Sequence, residues 1–231
     1  MAKKKDKTEE KIVAVEEVLG RTEQFIEKNQ KILTIIVGII VVLILGYFGY
    51  KKFYLAPLEK EAQSQIFMAE MYFEQDSLNR ALYGDGNYLG FLDIIDEYSS
   101  TKTGNLANYY AGICFLKNGE FEEAIDYLKD FSSSDQIIGP MASAAIGDAY
   151  MELGDPEKSI TYFLEAAGKS NNEFTAPTFL MKAAWTYEEL GEYNKALKIY
   201  ERIKKEFYKS YEAREIDKYI ARAKSLSAKD Y

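Results

Sequence analysis

Catalysis by side chains needs a proton carrier, a nucleophile or a metal held at fixed spacing, and this chain is poor in all three. It has no histidine. That removes Ser-His-Asp triads, Cys-His pairs and His-based zinc sites. Its one cysteine, Cys114, stands between Ile113 and Phe115 and reads as a packed thiol. Alone it forms neither an internal disulfide nor a four-cysteine metal site. The acid pairs Glu122-Glu123 and Glu188-Glu189 fit a solvated helix face better than a general acid and base. YGDGNYLG at 83–90 has glycines but not the spacing of a phosphate loop or a dinucleotide turn, and it lacks EF-hand ligands. We expect no enzyme, no cofactor, no metal and no small-molecule substrate.

What remains is the chemistry of binding. The chain carries 19 Tyr, 13 Phe and a single Trp, so anchors for an apolar partner are plentiful. Its net charge is −8 and is unevenly placed. Residues 53–200 hold 10 Lys/Arg against 24 Asp/Glu, whereas residues 1–52 and 201–231 each have a basic surplus of 3. An acidic body argues against nucleic acid, whose phosphates need basic patches. It suits solubility and basic protein partners.

Which elements position these groups? Residues 32–50 read ILTIIVGIIVVLILGYFGY, with no charge and no proline. Nineteen residues in a helix span roughly 28 Å, the thickness of bilayer hydrocarbon. Lys28, Lys31, Lys51 and Lys52 flank the stretch, and Tyr47, Phe48, Tyr50, Phe53 and Tyr54 mark its exit. It predicts a transmembrane helix at 32–50, and no small-residue cleavage site follows it. Gly38 and Gly46 lie on one side of that helix and form a candidate contact with a membrane partner. Before it, residues 1–31 are a charged arm whose Ile12, Val15, Leu19, Phe25 and Ile26 predict an amphipathic helix, facing either the membrane or a protein.

Beyond Pro57 the helical period dominates, and a unit repeats. The segments ANYYAGICFLKNGEFEEAIDYL (107–128), ASAAIGDAYMELGDPEKSITYF (142–163) and FLMKAAWTYEELGEYNKALKIY (179–200) align on a helix–Gly–helix core. Their turn glycines are Gly119, Gly154 and Gly191. Small residues recur before the turn at Gly112, Gly147 and Ala184, and after it at Ala124, Ser159 and Ala196. Large residues follow at Leu128, Phe163 and Tyr200.

This pattern resembles the tetratricopeptide repeat (TPR), in which small residues sit where two helices of a pair cross. The resemblance implies an all-α solenoid over about 58–225. Its clear repeats fall at about 105–138, 140–173 and 177–210, with a degenerate first hairpin at 58–99 and a capping helix at 211–225. In such arrays the first helix of each pair lines a concave face. The matching positions are Tyr109, Ile113, Leu116 and Lys117, then Ala144, Asp148, Met151 and Glu152, then Met181, Trp185, Glu188 and Glu189. These would make an apolar, aromatic groove with an acidic rim. Trp185 serves either that groove or the packing between helices.

A short arm, one membrane helix and a TPR domain together are similar to the YfgM family, ancillary subunits of the Sec translocon with periplasmic TPR domains and chaperone partners. The resemblance implies a non-catalytic adaptor for exported proteins in the cytoplasmic (inner) membrane. The positive start MAKKKDK puts the N-terminus in the cytoplasm and the repeats in the periplasm. The rival readings are a scaffold for another envelope complex and a cytoplasm-facing signalling adaptor.

Overall fold

A computed structural model describes residues 7–228 apart from Asn171, with side chains described from residue 27 onward. The amphipathic face expected at Ile12, Val15, Leu19, Phe25 and Ile26 lies outside those side chains. The described residues form helices and connecting turns, with no strand among them. The chain divides into two compact units, Met1–Pro57 and Leu58–Tyr231.

In the first unit, helix α1 runs Lys7–Tyr50 and is followed by a π-helical turn, Lys51–Leu55. No proline interrupts α1, and the large apolar side chains from Ile35 to Leu45 are all exposed. A helix in the core of a soluble domain would bury them. By length and composition α1 is apolar enough to cross a membrane. Nothing would touch a Cβ added at Gly38 or Gly46. At the exit, the rings of Tyr50 and Tyr54 stack at 5.2 Å.

The second unit is a row of helix hairpins. Helices α2 (Ala56–Glu74), α3 (Leu78–Tyr83) and α4 (Phe91–Tyr98) open it. Then come the pairs α5 (Lys102–Asn118) with α6 (Phe121–Asp130), α7 (Ile138–Glu152) with α8 (Pro156–Ser170), and α9 (Ala176–Glu189) with α10 (Tyr193–Glu206). A 3₁₀ turn, Glu212–Glu215, leads into α11 (Ile216–Ser227).

The three turn glycines end α5, α7 and α9 in the same way. Each has positive φ, +82°, +74° and +73°, where a side chain would strain the backbone. Each donates to the carbonyl three residues back, and the next amide reaches five back: Glu120 to Phe115 at 2.9 Å, Asp155 to Tyr150 at 2.9 Å, Glu192 to Tyr187 at 2.8 Å. This closes the orphan carbonyls of the helix end. The small residues before the turns are required by close helix crossings. A Cβ on Gly112 would lie 2.5 Å from Leu128 Cγ, and one on Gly147 would lie 2.7 Å from Phe163.

The core is built in overlapping patches along the row. One joins α2, α3, α4 and α5 through Ile66, Leu82, Phe91, Ile94 and Cys114. A second joins α5, α6 and α7 through Ile125, Leu128 and Ile146. A third joins α8 to α11 through Phe163, Leu180, Tyr200, Ile203 and Ile216. Helix α3 is an element that the sequence pattern does not predict. Leu82 is fully buried and anchors it, although six residues are too few to show a period. The YGDGNYLG segment is a structural loop. Asp85 accepts from the amides of Asn87 and Tyr88 and from the Tyr72 hydroxyl, and these bonds hold its carboxyl below the usual range.

Candidate protein-binding surface

The first helix of each hairpin carries the positions expected to face a groove. Their surroundings divide them into two groups. On α5, Tyr109, Ile113 and Leu116 are half-buried against Ile125, Leu128, Ala142, Ala145, Ile146 and Ala149. The Tyr109 ring also meets Phe131 at 5.4 Å, and burial pushes its phenol pKa up. Lys117 pairs with Asp76 at 2.5 Å and lies over the Phe73 ring. On α7, Ala144 is buried, Met151 is half-buried and Glu152 is exposed. Both carboxylate oxygens of Asp148 accept from the Lys182 ammonium of α9, at 2.7 Å each. That pair ties neighbouring first helices together.

On α9 the surface opens. Asn172 folds the entry to this helix by accepting from the amides of Phe174 and Thr175, and Pro177 fits its first turn. Met181 is buried against the core, so it forms floor rather than rim. Trp185 is 43% exposed. It stands between two pockets. One, of about 210 Å³, is lined by Thr178, Met181, Lys182, Trp185, Tyr211 and Tyr219, with Glu212 and Glu215 at its edge. The other, of about 540 Å³, is lined by Trp185, Glu188, Glu189, Tyr193, Tyr219, Arg222 and Leu226.

Helix α11 builds the far wall. Tyr219 lies 6.4 Å from Trp185 and 5.4 Å from the buried Tyr200, ring centre to ring centre. Arg222 forms an ion pair with Glu188, whose side chain is only 13% exposed. Tyr200 packs at the same place, and burial is the main cause raising its pKa. Thr178 donates to Glu212 at 2.6 Å, which holds the 3₁₀ turn against the start of α9. Charges around Trp185 are thus mostly matched, but Glu189 is exposed and keeps the rim acidic.

Tyr211, Tyr219, Arg222 and Leu226 were not among the expected groove residues. The sequence reads 211–225 as a solvating cap, yet Ile216, Tyr219, Ile220 and Ala223 repeat at three and four, a face that must pack on α9 and α10. As a further first helix, α11 places Tyr219 and Arg222 opposite Trp185. Cys114 is buried and its thiol is pushed up to about 12, mainly by desolvation, which leaves it inert.

Comparison with known proteins supports the repeat reading. Residues 106–134 and 179–210 match one tetratricopeptide repeat model, and residues 142–168 match another. Two solved structures of nearly identical TPR-like repeats from Podosopora anserina, named for a putative kinesin light chain, share the fold. The first, a point variant, has a TM-score of 0.55 at 13% identity, covering 74% of this chain and 88% of that one. The second has a TM-score of 0.50 at 13% identity, covering 74% and 97%. Comparison with curated proteins finds no match. The chain therefore carries tetratricopeptide repeats on an all-α solenoid.

Proposed function

We propose that this chain is a membrane-anchored TPR adaptor that binds an extended segment of a partner protein across the Trp185 end of its array. The observation that carries the reading is Trp185 itself, a large aromatic left exposed between two pockets while the same face of α5 is covered. An exposed aromatic flanked by apolar floor and polar rim has the anatomy of an interface anchor. The acidic rim at Glu189 and the acidic body favour a segment whose apolar core is flanked by Lys or Arg. Glu152, Asp148 and Lys117 extend the same face along the array, and they serve specificity and on-rate more than affinity.

The apolar, exposed stretch of α1 supports anchoring. We take the anchor to cross the cytoplasmic (inner) membrane with its N-terminus in the cytoplasm and the repeats in the periplasm. Its clients are then exported proteins, and the chain is a Sec-translocon-associated, chaperone-like adaptor. This narrower reading rests on the likeness of architecture to the YfgM family. Crosslinking in native membranes from a photoreactive residue at position 185 tests it. Adducts with exported chains or translocon subunits are expected, and adducts confined to another envelope complex would replace that client with a scaffold role.

A further inference from the structure

The two pockets beside Trp185 follow each other along one helix. On α9 the smaller is lined by Thr178, Met181 and Lys182, and the larger by Glu188 and Glu189. Trp185 and Tyr219 line both, so their rings, 6.4 Å apart, form a ridge between them. From Met181 to Glu188 the helix advances two turns, which sets the pockets about 10 Å apart along its axis. A segment that fills both must present two side chains on one side at about that separation. Same-side residues of a β-strand stand about 7 or 13 Å apart. A polyproline II helix has three residues per turn and puts them about 9 Å apart. An α-helix offers a pair seven residues apart, but its carbonyls are bonded internally. It would cover the Trp185 indole N–H, which has no acceptor among the described residues, without giving it one. Polyproline II carbonyls have no internal bond and can accept it.

Charge tells the two pockets apart. At the smaller one each charged side chain already has a partner. Lys182 donates to both Asp148 oxygens, Glu215 pairs with Lys218, and Glu212 accepts from Thr178. Lys218 and Arg222 lie over the Tyr219 ring at 4.9 and 5.3 Å, and Arg214 lies over the Tyr211 ring at 5.5 Å. The tyrosine faces that a partner's cation would seek are thus served by the chain itself. Among the described residues no cation lies over the exposed Trp185 ring. At the larger pocket Arg222 is matched by Glu188, whereas Glu189 is exposed with no cation paired to it among the described residues. The smaller pocket therefore suits an uncharged apolar group, and the larger suits Lys or Arg.

We infer that the partner segment is proline-rich and binds as a polyproline II helix, with a proline in the smaller pocket against Trp185 and Met181 and a Lys or Arg three residues away reaching Glu189. The inference rests on the adaptor reading and names the kind of extended segment it binds. Aromatic-lined grooves take such segments because their backbone is preformed and loses little entropy on docking. The Trp185 indole N–H donates to a carbonyl of the segment. The stem of the basic side chain lies on Tyr193 and Leu226, which line the larger pocket, and its charged head meets Glu189.

The test titrates the full chain in detergent with labelled, tryptophan-free peptides, read by anisotropy and by Trp185 emission. Two peptides of one composition carry proline at every third position, with a Lys either three residues after the last proline or one position out of that register. A third is Ala-rich and helical, with Leu and Lys seven residues apart. A fourth lacks proline and has an apolar core with Lys flanks, so it reports the adaptor reading by itself. The in-register peptide should bind at least about tenfold tighter than its out-of-register isomer. Glu189→Gln should remove most of that preference while melting at the parent temperature. Equal affinity in both registers, or tighter binding of the helical peptide, overturns the inference and leaves the adaptor reading standing if the fourth peptide still shifts the emission. Emission and anisotropy unmoved by all four overturn the adaptor reading, and the inference falls with it.

Discussion

The same face of two equivalent helices meets two fates. On α5 the face is covered, because α7 presents Ala142, Ala145 and Ala149 and lets Tyr109, Ile113 and Leu116 pack closely. On α9 the next first helix, α11, presents Tyr219 and Arg222, and cavities remain on both sides of Trp185. A repeat register alone therefore does not define a binding groove. The size of the residues on the following helix decides whether a position is core or surface.

The largest expected effect breaks the framework both regions share. Phe163 is buried where α7, α8 and α9 meet, and Phe163→Ala should lower stability by ~3–5 kcal/mol. Chemical denaturation with the linear extrapolation measures it. A loss under about 1 kcal/mol would mean that the joint between hairpins is not packed as described.

A second pair of variants contrasts the two ends. Arg222→Ala leaves Glu188 mostly buried without its cation and should cost about 1–3 kcal/mol. Lys117→Ala removes an exposed pair with Asp76 and should cost under about 1 kcal/mol. Equal costs would contradict the view that α11 is clamped onto α9 by a desolvated contact.

How much of this was legible in the sequence? The repeats were, because Gly119, Gly154 and Gly191 punctuate three units whose small residues recur at fixed offsets. The apolar stretch of α1 was equally plain. Helix α3 was not, since its six residues are too few to show a period. The site was legible only in part. Trp185 falls on the expected face, but covering of Tyr109, Ile113 and Leu116 depends on alanines some 30 residues on. The role of α11 was hidden because a terminal helix with a polar outer face looks like a cap whether or not its inner face also frames a pocket.

A smaller effect sharpens the comparison at the N-terminal end. Glu59 has its pKa lowered. Partial burial opposes this shift, and bonds from Thr103, Gln63 and the amides of Lys102 and Thr103 outweigh it. A carboxylate with a lowered folded pKa contributes stability above its unfolded value of 4.5, and that contribution is lost as pH falls through the folded value. Glu59→Gln should therefore unfold at lower temperature than the parent near neutral pH, and the two melts should converge in acid below the usual carboxylate range. Parallel melts across the whole pH range would remove Glu59 as a link between α2 and α5.

The claim that the Trp185 end binds a protein segment is tested most directly by the emission of Trp185, the chain's one tryptophan. The full chain in detergent is titrated with tryptophan-free peptides having an apolar core and either Lys or Asp flanks. The account predicts a saturable blue shift with the Lys-flanked peptide and binding at least about tenfold weaker with the Asp-flanked one, a difference of about 1.4 kcal/mol. Trp185→Ala should melt near the parent temperature yet bind more weakly by about 2 kcal/mol, read by peptide anisotropy. Emission unmoved by either peptide, or a collapse of the Trp185→Ala melt, would contradict it and return the ring to the core.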